Sequence, residues 1–314
     1  MIYTVTLNPA VDRELTVPQI AFDRVLRATG WQVDYGGKGF NVSRMLLALG
    51  AESVALAFAG GKSGQLLHDG LRDLGIGVDF VWVEGETRTN VSIVTEEHDH
   101  YVKVNEPGPT VGAAAQAALL QRLRDLAREG DWWVLGGSLP PGVAPDFYTQ
   151  MVQIVQSAGA RAVLDSSGEA LHAGCTARPY LIKPNDVELG QLTGLRTETT
   201  VDIVTAAEAL AEMELRRAII SMGKAGALVV EDGQSRLLSP PRIVERNPIG
   251  AGDSLVAGVV YALDGGQGLW EAARWGVACG AATASLSGTA VGSEQLVRDL
   301  LTQVETGALD AQAQ

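Results

Sequence analysis

The stretch NPIGAGDSLVAG (Asn247–Gly258) sets Gly250, Ala251 and Gly252 directly ahead of an acid, Asp253, and a run of helical period follows. Glycines where a loop turns into a helix aim backbone N–H groups along the axis at its positive end, which suits an anion. Such a hole is most useful where negative charge grows during a reaction. The carboxylate in the same turn has two readings. It stabilises the helix start as a cap, or it takes a proton from a hydroxyl that attacks a phosphoryl group held by the amides. The helix dipole lowers the acid's pKa and weakens it as a base. In phosphoryl transfer, however, the proton leaves late and positioning counts for more.

Other stretches carry compatible chemistry, each with a plain structural alternative. In YGGKGFNVSRMLLALG a glycine turn with Gly37 and Lys38 leads into an amphipathic helix with Asn41 in its first turn. The glycines admit a ligand to the backbone, and Lys38 supplies a point charge for phosphate or sugar oxygens; the alternative is an ordinary turn with a solvated lysine. In LNPAVD, Asp12 follows the first strand, where it accepts from sugar hydroxyls or caps a turn. In KPNDVELGQLTG, Asn185 and Glu188 are three apart on one helix face, fit either to hold hydrated Mg²⁺ beside phosphates or to cap the helix. IISMGKAGALVVEDG reads as strand, turn, strand, in which Ser221, Gly223 and Gly226 present N–H groups to a nucleotide or simply close a hairpin. His98 and His100 share a face at a polar hairpin tip with no third ligand in view, so they read as a solvated tip. Two nucleotide motifs fail. AGGKSG lacks the first Walker glycine, because Leu56 stands there, and neither GGKGFN nor GAGDSL completes GxGxxG.

The elements that position these residues alternate. Val- and Ile-rich runs (IYTVTL, SVALAFAG, WWVLGG, RAVLD, YLIKPN, RAIISMG) read as strands, separated by segments of helical period that often stop on glycine, as at Gly50, Gly75, Gly130 and Gly159. That order predicts an α/β fold with a mostly parallel sheet covered by helices on both faces. Ligands of such sheets bind at the carboxyl ends of the strands, and those ends carry GGSLPPG, DSSG, KPN and SMGKAG. Residues 12–34 and 87–108 break the pattern. The second alternates like a strand pair, and together they predict a small sheet standing off the main domain as a lid. Its free edges call for cover, which pairing two lids in a homodimer would supply.

The chain has 314 residues, 46% hydrophobic, and a formal net charge of −13. It is long enough for a large core and too acidic for nucleic acid or an anionic membrane. Cys175 and Cys279 fall in no metal-ligand spacing and read as free thiols. With neither a signal peptide nor an apolar run of membrane-spanning length, the expectation is a cytoplasmic protein.

Taken in this order, the motifs resemble the PfkB (ribokinase-like) family of carbohydrate kinases over nearly the whole chain. GGKGFNVSRMLLALG resembles the family's N-terminal signature and NPIGAGDSLVAG its C-terminal one. TLNPAVD, GGSLPPG, LDSSG and KPNDVEL most resemble its 1-phosphofructokinase and tagatose-6-phosphate kinase branch. The resemblance implies one Rossmann-like, three-layer αβα kinase domain spanning 1–314, with a lid inserted at about 12–34 and 87–106. It implies MgATP-dependent phosphorylation of a hydroxyl on a sugar phosphate. It further implies Asp253 as catalytic base and Gly250, Ala251 and Gly252 as anion hole. Asp12, Gly37, Lys38, Asn41 and Ser138 would contact substrate. Arg88 and Asn90 would reach its phosphate from the lid, with Arg27 and then Lys103 as weaker candidates. Asn185 and Glu188 match the element associated with Mg²⁺ and phosphates. Lys183, Ser221, Gly223 and Gly226 fall where the nucleotide binds, and Cys279 in the segment lining adenine. Convergence of Lys38, Arg88 and Arg27 would let so acidic a chain hold a dianion. Fructose 1-phosphate is the leading substrate and tagatose 6-phosphate its rival, because the end of the sugar held by Arg88 and Arg27 is open. A non-catalytic sugar-phosphate sensor and a dinucleotide-dependent oxidoreductase are the readings from other classes; the intact Asp253 loop and the missing GxGxxG oppose them.

Overall fold

The computed structural model describes residues 1–96 and 100–307. Its main sheet has ten strands in the order Glu305–Gly307, Gln234–Ser239, Ala227–Glu231, Arg217–Ser221, Leu181–Ile182, Arg161–Asp165, Trp132–Gly136, Ile2–Thr6, Ser53–Ala59, Gly77–Trp82. The seven from Arg217–Ser221 to Gly77–Trp82 run parallel, and the three at the other edge are antiparallel. The six runs expected as strands are all parallel strands here, and the edge strand Gly77–Trp82 is an addition to them. The six share one character. They are almost fully buried because helices cover both faces, and so they read as continuous apolar runs.

Two large cores result, one on each side of the sheet, with a third, smaller cluster around Phe40, Ala57, Leu67 and Phe80. One packs Val5, Leu56, Leu135, Leu164 and Ile220 against the Ala113–Leu126 and Phe147–Ser157 helices. The other packs Val134, Val163 and Ile219 against Ala251–Asp264 and Leu269–Ala284. These last two helices approach closely through small residues. A Cβ on Gly258 would lie 2.7 Å from both Cys279 Sγ and the Trp275 carbonyl oxygen.

A second sheet has the order Gly30–Gly36, Ala10–Val17, Arg88–Thr95, Tyr101–Val104. Its two central strands are parallel, and Asp12 stands beside both Asp34 and Asn90. The expected strand pair is therefore present. His98 lies outside the described residues; the His100 carbonyl accepts a hydrogen bond from the Thr95 amide at 3.1 Å. No helix among the described residues is long and apolar enough to cross a membrane.

Gly258→Ala is expected to lower stability by about 1–3 kcal/mol, since a backbone carbonyl cannot retreat as a flexible side chain does. Thermal unfolding measures it; an unchanged midpoint would show the helix pair free to separate.

Candidate active site

Parallel strands bring charged residues together at their carboxyl ends. Arg161–Asp165 ends on Asp165, whose carboxylate is buried, and Leu181–Ile182 is followed at once by Lys183. Asp165 Oδ1 takes Lys183 Nζ at 3.3 Å and Lys38 Nζ at 2.8 Å. Lys38 arrives from across the sheet, as the first residue of the Lys38–Ala48 helix. Burial disfavours its ammonium, but the Asp165, Asp253 and Glu188 carboxylates outweigh burial and hold it charged well above the usual lysine range.

The turn before that helix requires its glycine. Gly37 has φ 150°, and a Cβ there would meet Thr6 Cγ2 at 2.6 Å. One helical turn on, Asn41 Nδ2 donates to Asp253 Oδ2 at 2.8 Å. Asp253 is only 8% exposed. Burial first, and the Asp165 charge second, push its pKa up to about 6, against the opposing pull of Lys38, Asn41 and Lys183. The helix dipole therefore does not dominate this acid, contrary to the sequence-based expectation. Burial keeps it poised near neutrality, where a proton acceptor works well.

Gly250 holds a left-handed φ of 78° and starts the Ala251–Asp264 helix. The Ala251 amide donates back to the Pro248 carbonyl at 3.1 Å. The amides of Gly250, Gly252 and Asp253 find no acceptor among the described residues and are free for an anion. A Cβ on Gly252 would stand 3.8 Å from Lys183 Nζ; the glycine thus sets free amides beside an ammonium.

On the small-sheet side, Asn90 Nδ2 donates to Asp12 Oδ1 at 2.7 Å. Burial raises the Asp12 pKa, opposed by that bond and by the charges of Lys103 and Arg88. Asp12, Asn41 and Gly250 line one cavity. Arg88 donates to the carbonyls of Asn8 at 2.8 Å and Glu106 at 3.1 Å. Asn8 Nδ2 reaches the Pro107 carbonyl at 3.1 Å and Ser138 Oγ at 3.5 Å. Among the described residues, the buried side-chain atoms without a hydrogen-bond partner are Thr6 Oγ1, Asn8 Oδ1, Arg88 Nε, Asn90 Oδ1, Trp132 Nε1 and Trp133 Nε1. Four of the six stand around the end of the first strand and the small sheet. Unpaired buried polar atoms cost about 1–3 kcal/mol each, so their gathering here marks a place built for a polar ligand.

On the other side, Asn185 and Glu188 form a reciprocal cap. The Glu188 amide donates to Asn185 Oδ1 at 2.7 Å, and the Asn185 amide to Glu188 Oε2 at 2.9 Å. Asn185 also bridges to Ser221. No group of three or more acids, histidines or cysteines among the described residues could hold a metal alone. One carboxylate with an uncapped oxygen suits Mg²⁺ that keeps its waters and takes its other ligands from phosphates. Gly223, with φ 55°, opens the turn after Ser221. Gly226 serves the hairpin, because a Cβ there would fall on the Leu238 carbonyl.

Two expected residues stand apart. The Cys279 thiol is fully buried against Gly258 and offers no surface to line a pocket. Burial raises its pKa, and that of Cys175 to about 12, so neither is a reactive thiolate. Arg27 is exposed in the connection between Ala10–Val17 and Gly30–Gly36. Sequence reasoning missed Asp165 and Asn8. The available signal was a lone acid closing an apolar strand, RAVLD, at the ligand end of a parallel sheet.

Phosphoryl transfer to a hydroxyl is the chemistry served by a buried acid beside free amides and two lysines, which places the chain among α/β phosphotransferases. It belongs to the pfkB family of carbohydrate kinases, whose profile matches residues 5–296. It is 36% identical over 310 residues to the 1-phosphofructokinase of Bacillus subtilis, covering 98% of this chain and 100% of that one. To the tagatose-6-phosphate kinase of Staphylococcus epidermidis it is 34% identical over 268 residues, covering 84% and 85%. The crystal structure of phosphofructokinase-2 from Escherichia coli in complex with potassium superposes with a TM-score of 0.91 at 32% identity, covering 96% and 98%.

The acid limb of kcat/KM is expected near pH 6, with activity falling as Asp253 is protonated. Asn41→Leu removes a hydrogen bond that favours the charged form, so the limb should move to higher pH. Asp165→Asn removes a neighbouring negative charge, so the limb should move to lower pH, with a stability loss of about 3–5 kcal/mol from the two lysines left behind. Shifts in the same direction would exclude Asp253 as the titrating group.

Proposed function

We propose that the protein phosphorylates fructose 1-phosphate with ATP, giving fructose 1,6-bisphosphate and ADP. The observation that carries this reading is the Asn41–Asp253 contact at 2.8 Å. It joins the helix that opens on Lys38 to the helix start whose amides are free. The sugar phosphate lies between the small sheet and the main sheet. Asp12, Lys38, Asn41 and Asn90 hold its hydroxyls, and Arg88 with Ser138 holds the phosphate it already carries. The small sheet serves as a lid that excludes water from the transfer. Asp253 accepts the proton of the C6 hydroxyl. The Gly252 and Asp253 amides, with Lys183, stabilise charge on the transferred group. Asn185, Ser221 and Gly223 face the nucleotide. Mg²⁺ held through water by Glu188 would neutralise the ATP phosphates.

Fructose 1-phosphate follows from the curated relatives named 1-phosphofructokinase, matched at up to 37% identity. Tagatose 6-phosphate is the second reading, carried by the Staphylococcus relative. A second copy of the chain is proposed to cover the small sheet, whose Trp31 and Tyr101 are 71% and 73% exposed.

An ADP-release assay across fructose 1-phosphate, tagatose 6-phosphate, fructose 6-phosphate and free sugars should give its highest kcat/KM with fructose 1-phosphate. Preference for another sugar would replace the substrate. Asp253→Asn should lower kcat by roughly 10²–10⁴-fold with sugar KM held within a few-fold; a kcat within a few-fold of the parent would remove Asp253 as the base. Light scattering of the intact chain should report a dimer, and a monomer at all concentrations would refute lid pairing.

A further inference from the structure

A groove of about 450 Å³ lies at the opposite end of the parallel strands from the active site. Its walls include Arg161, Arg178, Arg216 and Arg217, together with Tyr180 and Glu214. Arg161 opens the strand that ends on Asp165, Tyr180 precedes the one leading to Lys183, and Arg217 opens the one ending on Ser221. These strands carry the chain about 10–13 Å from groove to catalytic end, so the two sites are separate.

Four guanidiniums in one groove stand out in a chain of net charge −13. Three have carboxylate partners: Arg178 with Glu214 at 2.7 Å, Arg216 with Asp232 at 2.7 Å and Arg217 with Glu231 at 3.3 Å. Arg161 has no carboxylate partner among the described residues. Its guanidinium carbon instead lies 4.8 Å from the centre of the Trp132 ring and 5.9 Å from that of Tyr180. Arg217 lies 4.5 Å from the same Tyr180 ring. The aromatic rings hold both guanidiniums in place, and the Arg161 fork carries no carboxylate among the described residues, which lowers the entropy lost when an oxyanion binds.

The Arg178–Glu214 and Arg216–Asp232 pairs are solvent-exposed. Exposed pairs contribute about 0–1 kcal/mol, so an incoming anion exchanges for their carboxylates at little cost. Backbone strain gathers at the same place. Arg178, Glu214 and Asp232 have left-handed φ values of 54°, 57° and 50°, three of the four such non-glycine residues described. Gln156 Nε2 fixes the Arg178 carbonyl at 2.7 Å. Strain of this kind, of order 1–3 kcal/mol per residue, persists where surrounding contacts impose it and collects at ligand sites.

We propose that this groove is a second ligand site that binds a small phosphate-bearing anion through Arg161, Arg178 and Arg216, against the wall formed by Tyr180. Phosphate offers more acceptor oxygens to converging forks than a single carboxylate does, and the groove has room for a metabolite rather than a bare ion alone. The inference does not rest on the substrate proposed for the catalytic site.

The test is calorimetric titration of the intact chain with inorganic phosphate, and separately with citrate, compared with Arg161→Gln/Arg178→Gln. Both side chains are exposed and outside the catalytic machinery, so turnover without added phosphate should match the parent and report a folded enzyme. Phosphate binding common to both proteins belongs to the catalytic end. The expected result is an additional phosphate site in the parent, weakened at least tenfold in the double variant. Identical phosphate titrations would overturn the site. Citrate binding as well as phosphate does, with the same loss in the variant, would overturn its assignment to phosphate.

Discussion

One buried carboxylate organises the catalytic end of this molecule. Asp165 gathers Lys38 and Lys183, which come from elements far apart in the chain, into one charged cluster. Two ammoniums would not share so enclosed a place without it, because an isolated buried charge is costly and like charges repel. Once they are there, their field reaches Asp253 and competes with burial and with Asp165 itself over the state of that acid. The site is a balance of charges in a partly desolvated space.

That balance explains how an acidic protein handles anionic ligands. The net charge of −13 is a property of the whole surface, whereas the carboxyl ends of the parallel strands concentrate Lys38, Lys183 and the helix-start amides in one place. Amides need no reorganisation when charge develops, since they are already oriented by the helix. The glycine at 250 lets this happen through its left-handed backbone. In the reciprocal cap of Asn185 and Glu188, one carboxylate oxygen secures the helix start and leaves the other outside the cap.

Much of the fold was legible because its physics is local. Buried parallel strands need long apolar runs, covering helices need helical period, and the strand pair from Arg88 to Val104 needs alternation. The same holds for Gly250 and the Asn185 cap, where neighbours in sequence decide the conformation. Cys279 shows the limit. Its segment follows the right motif, but which face of a buried helix meets a ligand and which meets another helix depends on packing. Here the thiol faces Gly258.

The sequence by itself determined the layer architecture, the loop that opens on Asp253 and the set of polar strand ends, since each follows from spacing and residue type. Tertiary structure alone decided which charges meet. Asp165 is one acid among many until the strand order sets it between Lys38 and Lys183, and Asn41 is 212 residues from the carboxylate it holds. The same folding buries Asp253 and so reverses the pKa direction expected from its place at a helix start. Desolvation and Coulomb interaction depend on distance and burial in space, and neither is encoded in the local pattern of the chain.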